Sequence, residues 1–389
     1  MQNPDGRLLV VSDLPLHGAS RDQSLQMSQA IATELEGAGW RAGRYTLAYQ
    51  SCDDSSASSG TWDAGTCSAN ASAYATDGGV VGVIGPSNSG CTQVELPVAN
   101  RASNGPLAMI SPANTAVGLT HAGPGTAAGE PARYYPTANR NYVRLLAADD
   151  LQGAAGALLA KRLGAGRLFV LNDGEAYGIG VASAAAGAAR KLGLSVVRFA
   201  AWDPAATSYA TLASQIRASG ANAVYLGGLI GSNGARLIAD IRAGAPGVTL
   251  IAPAGFTPIS SVVKGAGGAA EGLYVSAAGL PLDKLPPAGR RFARKFAQAE
   301  GLLSVDPAAV YAAAATDVLL QAITDSNGTR PSIAAHLLEV KLDRGVVGAI
   351  AFDASGDLVG APVTFYRVEH GAAATYAVLA PSPSLVVAG

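Results

Sequence analysis

The residues best suited to chemistry in this 389-residue chain sit in two hydroxyl-rich turns. Ser87, Asn88 and Ser89 follow a short apolar run over 80–84, with Gly85 and Pro86 between. Ser111, Ala113, Asn114 and Thr115 follow a second apolar run over 107–110. Both runs read as buried parallel strands. Gly85 and Pro86 break the first. The Ser and Asn side chains after them suit the start of a helix that continues to Asn100. Two neighbouring strands therefore end in polar turns, and one turn opens a helix. In open parallel sheets, ligands bind outside the carboxyl ends of the strands. A helix start there presents free N–H groups and partial positive charge, which suits a carboxylate. Ser89 is the leading candidate, its hydroxyl and the adjacent N–H groups holding that carboxylate. Its plainer role is an N-cap, and the two roles are compatible. Asn88 and Ser87 line the same turn.

Catalytic patterns fail. The four histidines, at 17, 121, 336 and 370, are scattered and make no HExxH. GPSNSG superficially resembles a nucleophile elbow, but Ser89 stands where G-x-S-x-G requires Gly. GxxxxGK[ST] is absent, and GAGGAAEG over 265–272 misses the G-x-G-x-x-G spacing. No enzyme, metal or cofactor is expected. The net charge is −1, with no long basic run, which argues against nucleic acid as a partner. Charged residues are 14% and hydrophobic ones 49%, so a folded chain is expected, long enough for two cores. Mean hydropathy is positive. Even so, the apolar stretches over 151–163 and 308–322 are interrupted well short of ~20 residues.

The elements that must position these turns alternate. Strands are expected over 7–13, 44–51, 80–84, 107–110, 167–172, 195–200, 223–227 and 249–252. Helices are expected over 20–37, 66–77, 141–163 (broken near 149–153), 178–192, 209–219 and 232–243. Such alternation implies α/β architecture with parallel sheets. The irregular stretch 118–136 divides it into two runs, hence two sheets. Helices over 287–298, 308–325 and 332–339 follow, then antiparallel strands over 363–368 and 376–379.

Seven segments, in order along nearly the whole chain, carry a resemblance. They are VVSDLPLHGASRDQSLQMSQAI, VIGPSNSGCTQ with MISPANT, LAADDLQG, VLNDGEAYGIG, AVYLGGL, EGLYVS and FDASGDLVG. Together they resemble the type I periplasmic solute-binding proteins, the branched-chain amino acid receptors of ABC importers. The resemblance implies two doubly wound parallel-sheet lobes joined by a three-crossover hinge. Lobe one would be 1–147 plus 277–353, and lobe two 148–276 plus 354–389. It implies a protein with no catalysis that closes around a small organic carboxylate and is read by a membrane permease; nothing in the sequence indicates oligomerisation, so a monomer is expected. The rival class is a ligand-sensing domain of a signalling system. It further implies a periplasmic or lipid-anchored protein whose signal peptide is absent from this chain, since residues 1–11 show no basic or apolar leader.

The resemblance also assigns residues. Ala113 would meet the carboxylate through its backbone and Thr115 an ammonium through its hydroxyl. Tyr177 would meet the ligand as the lobes close. Asp149 and Asp150 match an acidic position that can hold an ammonium, and a cap or hinge role fits them equally. Arg21 stands where relatives often place an aromatic and would add positive charge beside the carboxylate. Its plainer role is an exposed pair with Asp22. The sequence departs from the family at Ala254, where those receptors place a Glu on the ammonium, and at Leu229, where an aromatic is frequent. A buried ammonium without an anionic partner is costly. Either Asp149 or Asp150 replaces the Glu, or the ligand is an amine-free apolar or aromatic carboxylate resting on Leu229, Ala254 and Phe256.

Three cysteines occur. Cys52 and Cys67 flank a polar segment, and a bridge between them would close a loop of about 15 residues, worth roughly 3 kcal/mol. That pairing is expected, in an oxidising compartment. In some relatives of that family the equivalent of Cys52 is bridged to the loop beside Asn88, which makes Cys52–Cys91 the competitor. The cysteine spacing does not resemble a zinc site.

Overall fold

The computed structural model describes residues 7–56 and 62–386. It begins with β1 (Leu8–Leu14), α1 (Arg21–Gly37), β2 (Arg41–Ala42), β3 (Tyr45–Asp53) and α2 (Ala64–Thr76). β4 (Val80–Ile84), α3 (Ser89–Asn100), β5 (Ala108–Ser111) and β6 (Tyr142–Arg144) complete a first sheet, ordered β2-β3-β1-β4-β5-β6. All its pairings are parallel except β2–β3. All five residues of β4 are buried, as a strand covered on both faces requires. Ile84 pairs with Ser12 and with Ile110, so β4 and β5 end within one residue of each other and β1 runs two residues past Ser12. Gly85 turns out of β4 at φ +128, where a Cβ would lie 2.4 Å from the Asp13 carbonyl oxygen. Only glycine fits that approach.

The second half runs α4 (Asp149–Arg162), β7 (Arg167–Asn172), α5 (Ala176–Lys191), β8 (Ser195–Ala201) and α6 (Ala210–Ala218). It continues with β9 (Ala223–Gly227), α7 (Gly234–Gly244), β10 (Thr249–Ala252), α8 (Ile259–Ala266) and β11 (Tyr274–Ala278). The chain then returns to the first sheet with α9 (Pro287–Glu300), α10 (Pro307–Asp325) and α11 (Arg330–Glu339), and adds a small hairpin, β12 (Lys341–Gly345) and β13 (Gly348–Ala351). It ends with β14 (Val363–Glu369) and β15 (Ala372–Leu379), which pair antiparallel beside β11. The second sheet is ordered β15-β14-β11-β10-β9-β7-β8. The chain thus crosses between sheets three times, at 145–148, 279–286 and 352–362. Arg330 ties the returning segment down: its guanidinium donates to the carbonyls of Val80, Ala75, Tyr74 and Asp77.

Several sequence expectations need correction. The helix expected over 141–163 is strand β6 followed by α4. Tyr142, Val143 and Arg144 are fully buried and complete the first sheet, and Ala148 is the extended residue where α4 starts. The sheets therefore change after residue 144, not at 118–136. Strands β11, β12 and β13 and helix α8 were not expected, and β11 runs past the boundary placed at 277. α10 is long and apolar enough to cross a membrane by length and composition, yet 67% of its most apolar window is buried inside the protein. It is a core helix packed on α1.

The disulfide is Cys67–Cys91, and Cys52 is free, which overturns both expected pairings. Helix packing decides this. Cys67 on α2 and Cys91 on the first turn of α3 are both fully buried between those helices, with Cα atoms 5.6 Å apart. Cys52 sits on β3, opposite Asp13 of β1, and packs against the core cluster that contains Tyr74. The bridge spans 24 residues, for which chain entropy gives about 3 kcal/mol. Urea melts with and without reductant should show that loss, and Cys52→Ser should leave the oxidised melt unchanged.

Candidate functional site

The two polar turns meet above the ends of β4 and β5, and Asn114 joins them. Its Nδ2 donates to the carbonyls of Pro86 (3.1 Å) and Ser87 (2.9 Å). Its Oδ1 accepts from Thr92 Oγ (2.6 Å) and Tyr142 Oη (2.9 Å). Asn114 is 1% exposed, so these bonds hold one loop to the other in a water-poor place. Ser111 Oγ donates to Pro86 O and accepts from the Ala113 and Asn114 amides.

Asn88 is the cap of α3, accepting from the Gly90 amide at 2.7 Å. Capping therefore does not occupy Ser89. Its hydroxyl accepts from the Ala116 amide at 3.3 Å and faces a cavity between the two sheets. The cavity measures about 430 Å³, within the ordinary range for small-molecule sites. Ser89 and Gln93 of α3, Thr115 to Gly118, and the loop residues Pro124 to Ala127, Glu130 and Arg133 line one side. Asp149 at the start of α4 and Ala176, Tyr177, Gly180 and Val181 of α5 line the other.

Thr115 links the sides. Its carbonyl accepts from the Asp149 amide at 2.8 Å, and its hydroxyl is hydrogen-bonded to the Asp149 carboxyl. Gln152 Nε2 donates to Asp149 Oδ1 at 3.0 Å. Burial pushes this carboxyl up to about 7, opposed by the Thr115 hydrogen bond and the Arg144 charge. A cavity-facing acid poised near neutrality can hold a ligand cation as carboxylate or a ligand anion as neutral acid.

Tyr177 lies in the cavity, but its hydroxyl accepts from the Gly255 amide at 3.0 Å. The ring, not the hydroxyl, is its free surface. Replacing it with Phe should leave that amide unpaired and cost about 1–3 kcal/mol of stability, read from urea melts. Ligand affinity should fall further in Tyr177→Ala than in Tyr177→Phe.

Ser89, Thr115, Asp149 and Tyr177 are thus brought together. The other sequence candidates lie outside the cavity lining. In the two turns the Ser87 carbonyl accepts from Asn114, the Asn88 side-chain oxygen caps α3 through Gly90, and the Ala113 amide donates to Ser111 Oγ. Arg21 opens α1, exposed, 3.3 Å from Asp22. Leu229 and Ala254 stand behind Tyr177, where a Cβ on Gly255 would touch both Tyr177 and Leu229. Phe256 is fully buried in the core of the second sheet.

Asp150 faces away from the cavity, into a buried charge network. Its carboxylate meets His121 Nε2 at 2.7 Å, and His121 Nδ1 meets Asp357 at 2.9 Å. Asp357 accepts from Arg144 Nε at 2.6 Å and from Thr120 Oγ. Arg144, fully buried, also donates to Ala116 O and Thr120 Oγ. Burial opposes the charge on His121, but Asp150 and Asp357 outweigh it and push the imidazole up to about 9. Burial also works against the Asp357 charge, yet Arg144 and His121 hold its carboxyl well below the usual range.

Sequence reasoning missed Asn114 as the pin between loops, Gln93 one helical turn after Ser89, and the loop around Pro124. That loop reaches α5: a Cβ on Gly125, at φ +84, would lie 2.5 Å from Gly180 Cα. The Gly-rich run 122–130, with Pro124 inside it, is the signal that was open to reading.

Two α/β lobes with a ligand-sized cavity between them, floored by a helix start and a buried acid, define a small-molecule binding protein. The periplasmic binding protein family matches residues 17–373, and the chain belongs to it. It is 28% identical over 218 residues to an amino acid binding protein of Pseudomonas aeruginosa, a match covering 55% of this chain and 57% of that one. The chain thus spans little more than half of that relative. A substrate-binding protein of an ABC transporter from Desulfitobacterium hafniense, solved with Leu, superposes with TM-score 0.77 at 21% identity. That match covers 95% of this chain and all of the other. A solute binding protein from R. palustris, solved with benzoate, gives TM-score 0.69 at 18% identity over 99% and 98% of the two chains. These likenesses establish the type I fold. The relatives are binding proteins, in keeping with the expectation of a non-enzyme.

Proposed function

We propose that this chain is the extracytoplasmic receptor of an ABC importer and binds a small α-amino acid between its lobes. The observation that carries this is Asp149 in the same cavity as the α3 helix start. Donors at Ser89 suit a carboxylate, and a buried acid beside the Thr115 hydroxyl suits an ammonium. Asp149 supplies the anion whose absence at Ala254 set the sequence apart from the family. Tyr177 offers its ring to the side chain.

Capture proceeds by closure. Lobe one, 1–147 plus 277–353, takes the carboxylate first. Lobe two, 148–276 plus 354–389, then brings Tyr177, with the three crossovers as hinge. The closed form gains population only through the ligand's preference for it. A membrane permease reads that form.

A second reading has a specific observation behind it. With Ala254 in place of an acid and Asp149 near neutrality, an amine-free aromatic acid fits, its carboxylate accepting from a protonated Asp149. A thermal-shift screen of amino acids against aliphatic and aromatic acids separates the two, since a ligand of the folded state alone raises Tm. Shifts by amino acids support the proposal, and shifts confined to amine-free acids favour the second reading. No shift from either set removes the carboxylate assignment. Ser89→Ala should weaken whichever ligand binds by about 1.5–3 kcal/mol, the worth of a hydrogen bond to a charged group, as read by calorimetry.

A further inference from the structure

Behind the ligand turns, the first sheet buries a second cluster that ligand binding does not use. Asp13 is the second-last residue of β1, Asp54 follows β3, Cys67 lies on α2, and Cys91 and Glu95 lie on α3. All five are 0–1% exposed. One oxygen each of Asp13 and Glu95 lies within 4.8 Å of the Cys91 sulfur and of the other. An Asp54 oxygen and the sulfurs of Cys67 and Cys91 satisfy the same limit. Cys91 Sγ is common to both groups.

The carboxylates lack partners. Among the described residues, neither oxygen of Asp54 has a hydrogen-bond partner, nor does Glu95 Oε2. Glu95 Oε1 meets only the Cys91 sulfur, at 3.6 Å, and a disulfide sulfur carries no hydrogen. Asp13 Oδ1 alone accepts from a protein donor, Asn70 Nδ2 at 3.0 Å. Buried acids without donors either keep a proton or require a cation. Burial accordingly pushes Asp54 up to about 8 and raises Asp13 and Glu95.

We propose that reduction of Cys67–Cys91 converts this cluster into a site for a zinc-class divalent cation, held by both thiolates with Asp54 and Glu95. Zinc takes Cys and carboxylate ligands in four-coordinate geometry, and the thiolates select it over calcium or magnesium. Asp13, held by Asn70 at 3.0 Å and with an oxygen within 4.8 Å of one of Glu95, positions the Glu95 carboxyl. In the reduction step a dithiol gives two electrons and two protons. The S–S bond breaks, two thiols form, and the dithiol closes to its own disulfide. Metal binding then releases both thiol protons, and any proton on Asp54 or Glu95, to solvent. The sequence spacing hides the site because its ligands come from the end of β3, α2 and α3, and the residue that positions one of them from β1.

The test is a Co²⁺ titration of the full chain, either oxidised or reduced with dithiothreitol and desalted without air. Reduced protein should bind one Co²⁺ with a near-ultraviolet thiolate-to-cobalt band, and oxidised protein should not. Asp54→Asn and Glu95→Gln should each weaken reduced-state Co²⁺ binding by at least about tenfold, with the free-thiol count unchanged. Cys52→Ser should keep the band. Zn²⁺ should displace Co²⁺ and raise the Tm of the reduced chain. Absence of the band in reduced protein overturns the proposal. Equal Co²⁺ binding by oxidised protein overturns it as well, as does loss of the band in Cys52→Ser.

Discussion

Asp149→Asn is expected to weaken α-amino acid binding by about 2–5 kcal/mol, roughly 30-fold to several-thousand-fold. The group is buried against Thr115 and Gln152, so a ligand ammonium deprived of it has no other anion lining the cavity except Glu130. Glu130 is already committed to Arg133, Tyr134 and the Ala127 amide. The pH dependence follows from a carboxyl at about 7 in the free protein. Pairing with an ammonium requires the carboxylate. Amino acid affinity should therefore fall about tenfold per pH unit below 7 and level off above it. An amine-free acid would do the opposite, since it needs the protonated form. Calorimetry at pH 5, 6, 7 and 8 decides between these slopes, and Asp149→Asn should flatten either one. Folding stability of the free protein carries its own sign. The folded value lies above the unfolded one of 3.8, so the folded state holds the extra proton between them. Stability from this group is greatest below that window and is lost as pH rises through about 7. Urea melts of Asp149→Asn should lack that decline, which shows that the variant is folded while its binding is impaired.

Asp357→Ala should cost about 3–5 kcal/mol of stability, because it leaves Arg144 buried and unpaired. Arg144 belongs to β6, Asp357 to the third crossover, and His121 carries the network to Asp150 at the start of α4. Loss of Asp357 thus unties two of the crossovers from each other as well. Removing both charges, in Arg144→Met with Asp357→Ala, should cost less than the sum of the single changes, since no orphan charge remains. His121 titrates above its ordinary 6.5, at about 9. Its contribution is fully present below 6.5 and is lost as pH rises through about 9. Asp357 is held below its ordinary 3.8. Its contribution is present above 3.8 and is lost only as pH falls further. Melting temperatures measured from pH 6 to 10 should drop on the alkaline side, and His121→Gln should remove that drop. An unchanged alkaline limb in His121→Gln would show that the imidazole carries no charge there.

The sequence by itself determined the alternation of strand and helix, because apolar runs such as 80–84 and 223–227 carry their burial in their composition. It also located the two polar turns, because Gly85-Pro86 and Ser111-Pro112 stop strands by local backbone chemistry. Ser89 and Thr115 were legible for that reason. Tertiary structure decided the rest. Asp149 and Asp150 are adjacent and chemically alike, but successive residues on a helix point about 100° apart. One faces the cavity and the other His121, and only the packing of α4 fixes which. Phe256 reads as a free apolar surface, yet the turn after β10 folds it inward. Cys67 meets Cys91 because α2 and α3 pack side by side on one face of the sheet. Loop length favoured the nearer Cys52, but an interhelical contact is set by which faces are buried together, and pairwise spacing does not encode that.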